Sequence, residues 1–276
     1  MSQSIISALP IGVYDSGVGG VTVLKVLSQM LPDENFIYFA DTAHLPYGDK
    51  TPEQIKTYTK DIINWFQTIG KTKMIVAACH TSSAIGLPAL SLANTPILGI
   101  VTPLLNVLKR ADNIGILSTP ATAKSAIHEK ILRQNGFSGK IMMISCPEFV
   151  PLIEQGIKTG QMDDARLIWH AKEYLKPFYE HDLNTLVYGC THYPFISNLI
   201  ESLLPKHVKH INPAQSLAVE VMKQLDQQNL RNHSGVKRPV HFELSAGQSN
   251  ADLYKLLHET LMANEGKVEK PNACGG

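Results

Sequence analysis

Residues 11–31 read Ile-Gly-Val-Tyr-Asp-Ser-Gly-Val-Gly-Gly-Val-Thr-Val-Leu-Lys-Val-Leu-Ser-Gln-Met-Leu. A short β-branched run, Ile11–Tyr14, ends in Asp15-Ser16-Gly17-Val18-Gly19-Gly20 and passes into Val21–Leu31, whose apolar residues recur at helical spacing. A buried strand that turns through glycines into a helix is one unit of an α/β fold. The pattern repeats along the chain. Further strand-like runs are Phe36–Ala40, Met74–Ala78, Ile97–Val101, Ile114–Leu117, Ile141–Ser145, Leu186–Tyr188 and Val240–Leu244. Between and after them, Thr51–Thr68, Pro103–Lys109, Thr122–Asn135, Asp163–Lys176, Phe195–Leu203, Ser216–Asn229 and Asp252–Ala263 carry helical periodicity. This alternation predicts an α/β fold with mostly parallel sheets and helices on both faces. Ligands in such folds bind just beyond the carboxyl ends of the strands.

The composition suits one large domain or two of ordinary size: 276 residues, 44% hydrophobic and 18% charged. Lys and Arg number 25 against 24 Asp and Glu, so no strong field is available to hold a phosphate backbone, which points away from nucleic acid. No stretch approaches the roughly 18 consecutive apolar residues of a membrane span. Met1–Pro10 is too polar and uncharged for a secretory signal, and a cytoplasmic location is expected. Four cysteines, Cys79, Cys146, Cys190 and Cys274, lie far apart with no C-x-x-C pair, a pattern of free thiols rather than of a disulfide scaffold or zinc ribbon. Cys190 and His192 would supply half a zinc site with no second pair at ligand spacing, so no metal is expected.

One internal echo stands out. Ile75-Val76-Ala77-Ala78-Cys79-His80-Thr81 parallels Leu186-Val187-Tyr188-Gly189-Cys190-Thr191-His192: a buried-looking strand, a small residue, a cysteine, then hydroxyl and imidazole groups. Either cysteine could be a small apolar core residue. At a strand end, though, a helix start or an imidazole can lower a thiol's pKa and make it a base or nucleophile. The separation of the two is that of a small domain, which suggests two α/β lobes facing one another with a thiol on each wall. Cys146, followed by Pro147, lacks these surroundings and is assigned to the core. Cys274 lies in the polar, Gly/Pro-punctuated tail and is read as a bystander; Gln227–Arg238 reads as an exposed loop. The glycines of residues 15–20 allow close backbone approach to an anion, or Asp15 and Ser16 simply cap a helix. Asp41 through Pro46-Tyr47-Gly48 follows the second strand in the same way.

Taken in order, Asp15-Ser16-Gly17-Val18-Gly19-Gly20, Pro46-Tyr47-Gly48, Ala78-Cys79-x-Thr81, Cys146-Pro147 through Glu154-x-Gly156, and Gly189-Cys190-Thr191-His192-Tyr193-Pro194 resemble glutamate racemases of the aspartate/glutamate racemase superfamily. The resemblance runs from about Ile11 to Ala263. It implies racemisation without cofactor, one base on each face of the α-carbon. Cys79 would deprotonate D-glutamate and Cys190 L-glutamate, each acting as acid in reverse. Asp15 and Glu154 resemble carboxylates that assist the cysteines or meet the substrate ammonium, and His192 the histidine assisting the second cysteine. Asp15, Ser16, Tyr47, Gly48, His80, Thr81, Thr191 and His192 match binding positions, with Thr119 and Thr122 as further candidates for the substrate carboxylates. The implied lobes are residues 1–101 with 213–276, the tail 265–276 being flexible, and residues 102–212. The resemblance also implies a homodimer that supplies D-glutamate for peptidoglycan, and with it the cell wall and cell shape.

Two positions depart from the family pattern. His80 replaces an asparagine in Cys-Asn-Thr, and Asn212 stands where Asp-Pro-Ala is usual. A protonated His80 would favour a Cys79 thiolate but compete with the substrate ammonium, so weaker glutamate binding and a pH profile shaped by His80 are expected. Rival readings are an aspartate or hydantoin racemase, a thiol hydrolase built on Cys190 and His192, and a homologue that acts by binding a protein partner.

Overall fold

The computed structural model describes residues 3–87, 95–108, 111–236, 239–246 and 259. The strands are β1 (Ile11–Asp15), β2 (Phe36–Ala40), β3 (Met74–Ala77), β4 (Ile97–Gly99), β5 (Asn113–Ser118), β6 (Lys140–Ser145), β7 (Thr185–Gly189), β8 (Lys209–Ile211) and β9 (His241–Leu244). They form two sheets, β4-β3-β1-β2-β9 and β6-β5-β7-β8, in which every pairing is parallel. The helices are α1 (Gln3–Ser7), α2 (Val21–Met30), α3 (Pro52–Thr68), α4 (His80–Ile85), α5 (Leu104–Leu108), α6 (Pro120–Ser125), α7 (Ile127–Gln134), α8 (Phe149–Thr159), α9 (Ala165–Glu180), α10 (Ser197–Ser202) and α11 (Pro213–Gln227). No helix among the described residues is long and apolar enough to cross a membrane.

Side chains of one strand serve two cores, as the pleat requires. In β3 and the residue after it, Met74, Val76 and Ala78 join α2 and α11 on one face, while Ile75 and Ala77 join Ile62, Ile63 and Phe66 of α3 on the other. Such two-sided burial explains why the strands read as continuous apolar runs. The central strands make room for an aromatic ring: a Cβ on Gly12 would fall 2.6 Å from Phe66, and one on Gly115 2.4 Å from Phe178. The chain crosses from the first sheet to the second after β4 and returns through α11 to place β9 beside β2.

Helix starts follow local chemistry. Thr51 and Gln54 close a capping box ahead of Pro52. Asn212 caps α11, its Oδ1 accepting the Ala214 N–H at 3.0 Å. The departure from Asp-Pro-Ala is therefore a cap-for-cap exchange, since asparagine and aspartate serve this position equally well.

Several elements differ from the sequence reading. Thr122–Asn135 is two helices, because Ala126 adopts the left-handed conformation at φ 50° and breaks the run. Helix α8 is absent from the sequence reading; it carries Pro151 near its start, where proline is tolerated in a first helical turn. Helix α4 is short, and edge strand β8 is a polar three-residue segment with no periodic signal. The segment 227–238 is not wholly exposed: Asn232 is buried, and its N–H donates to Glu34 at 2.9 Å. Apart from Glu259, the helix expected at Asp252–Ala263 lies outside the described residues, as do the tail 265–276 and Cys274.

Candidate active site

The candidate residues converge because parallel strands end together. Asp15 closes β1, Thr119 follows β5 and caps α6, Cys146 follows β6 and Cys190 follows β7. Cys79 lies just past β3 as the N-cap of α4. Between the carboxyl edges of the two sheets lies a cavity of about 260 Å³ lined by Ser16, Tyr47, Gly48, Cys79, His80, Thr81, Thr119, Cys190, Thr191 and His192. Among the described residues, no lysine or arginine lines it. Asp15, Glu154 and Thr122 lie behind this wall and reach it through other side chains. Cys146 is buried in the second lobe's core, as expected, and its edge also touches the cavity near Glu148.

The two thiols have different surroundings. Cys190 Sγ lies 3.8 Å from His192 Nδ1, and His192 Nε2 lies 3.2 Å from Glu154 Oε1. Burial disfavours the imidazolium, but the thiol and the carboxylate outweigh it and hold His192 up at about 10. Burial likewise works against ionised Glu154, yet His192 holds its carboxyl below the usual range. Among the described residues, Cys79 has no imidazole at hydrogen-bond distance. Burial, with the nearby Asp15 carboxylate, pushes its thiol up to about 12. Asp15 is itself buried and raised by desolvation, while its oxygens accept from Gly17 N–H at 2.9 Å and Thr191 Oγ1 at 3.1 Å.

Hydroxyl groups tie the lobes together. Thr81 Oγ1 lies 3.2 Å from Thr119 and 3.0 Å from Thr122, and Thr119 donates to Thr122 at 3.0 Å. Thr22 Oγ1 donates to the Thr191 carbonyl at 3.0 Å. A Cβ on Gly19 would meet His192 Nδ1 and Thr191 Oγ1 at 2.5 Å each. The glycine-rich turn thus admits the opposite lobe's side chains at Gly19, while Asp15 accepts the Gly17 N–H within it.

His80 also differs from expectation. It is buried, and His128 Nε2 on α7 approaches its Nδ1 at 3.4 Å. Burial, then His128, lowers its proton affinity well below that of a free imidazole, which favours the neutral ring over the cation that the sequence suggested. Two partners were missed. Asp41 accepts from Tyr47 Oη at 2.5 Å and pairs with His44 Nδ1 at 2.9 Å, fixing a ring that lines the cavity. The repeated strand-then-Asp pattern carried that signal. His128 had none, because its helix begins at a break, Ala126, that no sequence signal marks. Among the described residues, no three His, Cys, Asp or Glu groups gather as metal ligands.

Known proteins share this fold. The chain is 43% identical over 246 residues, 88% of its length and 89% of the relative's, to the glutamate racemase of Trichodesmium erythraeum (strain IMS101). Its fold matches the crystal structure of glutamate racemase from Francisella tularensis in complex with D-glutamate, with TM-score 0.83 and 28% identity, covering 95% of this chain and 97% of that one. The Thermus thermophilus glutamate racemase in complex with beta-chloro-D-alanine matches with TM-score 0.80 and 35% identity, covering 92% and 93%. At the level of class, then, this two-lobed α/β protein is an isomerase, a racemase. The chain belongs to the Asp/Glu/Hydantoin racemase family, whose model matches residues 11–221.

Proposed function

We propose that the chain interconverts L- and D-glutamate without a cofactor, using Cys79 and Cys190 as bases on opposite faces of the α-carbon. The observation that carries this reading is that both thiols, one from each lobe, line one small cavity. In the direction from D to L, the Cys79 thiolate takes the α-proton, leaving its electron pair on carbon, and the Cys190 thiol delivers its own proton to the other face. The reverse reaction exchanges these roles. Cys79 is protonated in the free enzyme, and the arriving substrate ammonium supplies the positive charge that favours its thiolate. Asp15 acts from behind the wall, holding Thr191 and giving the Cys79 side a negative charge that favours that ammonium, and Glu154 acts through His192, which serves Cys190. Ser16, Tyr47, Gly48, His80, Thr81, Thr119 and Thr191 hold the carboxylates with hydroxyl, imidazole and backbone donors, while Thr122 orients Thr81 and Thr119.

The reading extends to a cytoplasmic homodimer that supplies D-glutamate for peptidoglycan, with lobes at 1–101 plus 213–276 and at 102–212. The test is incubation with either enantiomer of glutamate in deuterium oxide after exhaustive chelation. Loss of the α-proton signal together with loss of optical rotation is expected. Turnover of aspartate or a hydantoin, with glutamate unchanged, would overturn the substrate assignment.

A further inference from the structure

His80 and His128 form a buried pair contributed by different lobes, with ring centroids 5.5 Å apart and planes 24° from parallel. Across the 3.4 Å between His80 Nδ1 and His128 Nε2, one nitrogen carries the proton and the other accepts it. The remaining nitrogen of His128, Nδ1, is buried without a hydrogen-bond partner. That orphan decides the direction. Were His80 the donor, neutral His128 would carry its proton on Nδ1 as a buried N–H with no acceptor, a rare and costly state. With His128 as donor, only a lone pair is left bare. His80 then carries its own proton on Nε2, the one ring nitrogen free to meet a ligand in the cavity it lines.

We infer that His128 is a positioning residue that fixes the tautomer of His80, so that His80 presents an Nε2–H donor suited to a substrate carboxylate. Among the described residues, His128 is the only titratable group acting on His80, and burial alone acts on His128. Behind His128 lie Val101, Leu104, Leu108 and Leu132, none of which can supply a competing hydrogen bond from its side chain. The pair accounts for the exchange of asparagine for histidine beside Cys79: an amide carries its own donor, whereas an imidazole needs a second group to place its proton. The tautomer stands on the geometry alone; its use for a carboxylate rests on the glutamate reading above.

The test has two arms. In histidine-labelled ¹⁵N protein without substrate, with His80 assigned by its loss in His80→Asn, long-range ¹H–¹⁵N spectra are expected to show a protonated Nε2 and a bare Nδ1 at His80. A protonated Nδ1 overturns the proposal. In the kinetic arm, His128→Phe keeps an aromatic ring at this position and loses the donor. KM for both glutamate enantiomers is expected to rise about tenfold, the scale of one hydrogen bond to a charged acceptor, with kcat within about threefold. His128→Gln, which retains an N–H donor, recovers most of that loss. In a His80→Asn background, the same His128→Phe change leaves KM within about twofold. An equal rise in both backgrounds, or none in either, overturns the proposal. If His128→Phe does not fold, His128→Gln and the wild-type spectrum decide. If glutamate is not turned over, the function falls while the tautomer is still read from the spectrum.

Discussion

Gly19 of the first lobe and the imidazole of His192 in the second are packed so closely that a methyl group on Gly19 would fall 2.5 Å from Nδ1, the nitrogen facing Cys190. Gly19→Ala is therefore expected to displace His192 and slow proton transfer at Cys190 far more than it destabilises the fold. A misplacement of about an ångström can cost roughly 10²-fold in rate. The check is kcat for racemisation alongside a thermal melt; a variant with wild-type kcat would show that the seam yields without moving the ring.

The division of labour between the thiols is best tested on half-reactions, because racemisation has an equilibrium constant of one and kcat/KM must fall equally in both directions. Cys79→Ala and Cys190→Ala are each expected to abolish inversion. Each should keep β-elimination from a single enantiomer of 3-chloroglutamate, which needs proton removal from one face only. Equal losses on both enantiomers would count against a base on each wall. Cys146→Ala should change turnover little.

Burial of Cys79 sets a second expectation. With its pKa near 12, its thiolate fraction, and hence its alkylation by iodoacetamide in the free enzyme, should climb about tenfold per pH unit from pH 7 to 10 without levelling. Peptide-resolved mass spectrometry measures it. A plateau below pH 9 would mean that Cys79 is already ionised before substrate arrives.

Linkage gives the pH dependence of stability. His192 binds its proton more tightly in the folded state, at about 10 against 6.5, so its contribution is complete below about pH 6.5 and is lost as the pH rises through 10. Glu154→Gln removes one of the groups that raise it. The fall in unfolding free energy between pH 7 and 10 should then be shallower than in the wild type. Denaturant melts across that range decide it; parallel curves would remove Glu154 from the network.

Asn212→Ala should cost about 1 kcal/mol through loss of the α11 cap, whereas Asn212→Asp should be neutral or slightly stabilising at the helix N-terminus. Racemase activity should follow neither change. A loss of activity in Asn212→Asp at unchanged melting temperature would assign this position more than a cap.

The parallel α/β plan was legible because strands buried on both faces are written as apolar runs, and because each turn beyond a strand carries small or polar residues. The matched surroundings of Cys79 and Cys190 gave the two walls on the same grounds. What escaped depends on direction in space. The break at Ala126 is a single residue with a left-handed backbone and no glycine to announce it, and it starts the helix that brings His128 to His80. Asp41 was visible as a position but not as a partner, since its bond to Tyr47 closes over a loop whose course is not periodic. His80 read as a possible cation because sequence does not report burial.

The return of the chain has a consequence for the order in which the molecule is made. The first lobe's core takes Ala214, Leu217, Ala218, Val221 and Leu225 from α11, and its sheet gains the flanking strand β9 only at His241–Leu244. Every strand of the second sheet, by contrast, is complete by Ile211. As the polypeptide leaves the ribosome, the lobe that begins first is finished last, and β2 stays an open edge while the whole second sheet is translated. Until then, strands β1 to β4 must wait with part of their apolar surface bare, a condition that favours aggregation and the attention of chaperones.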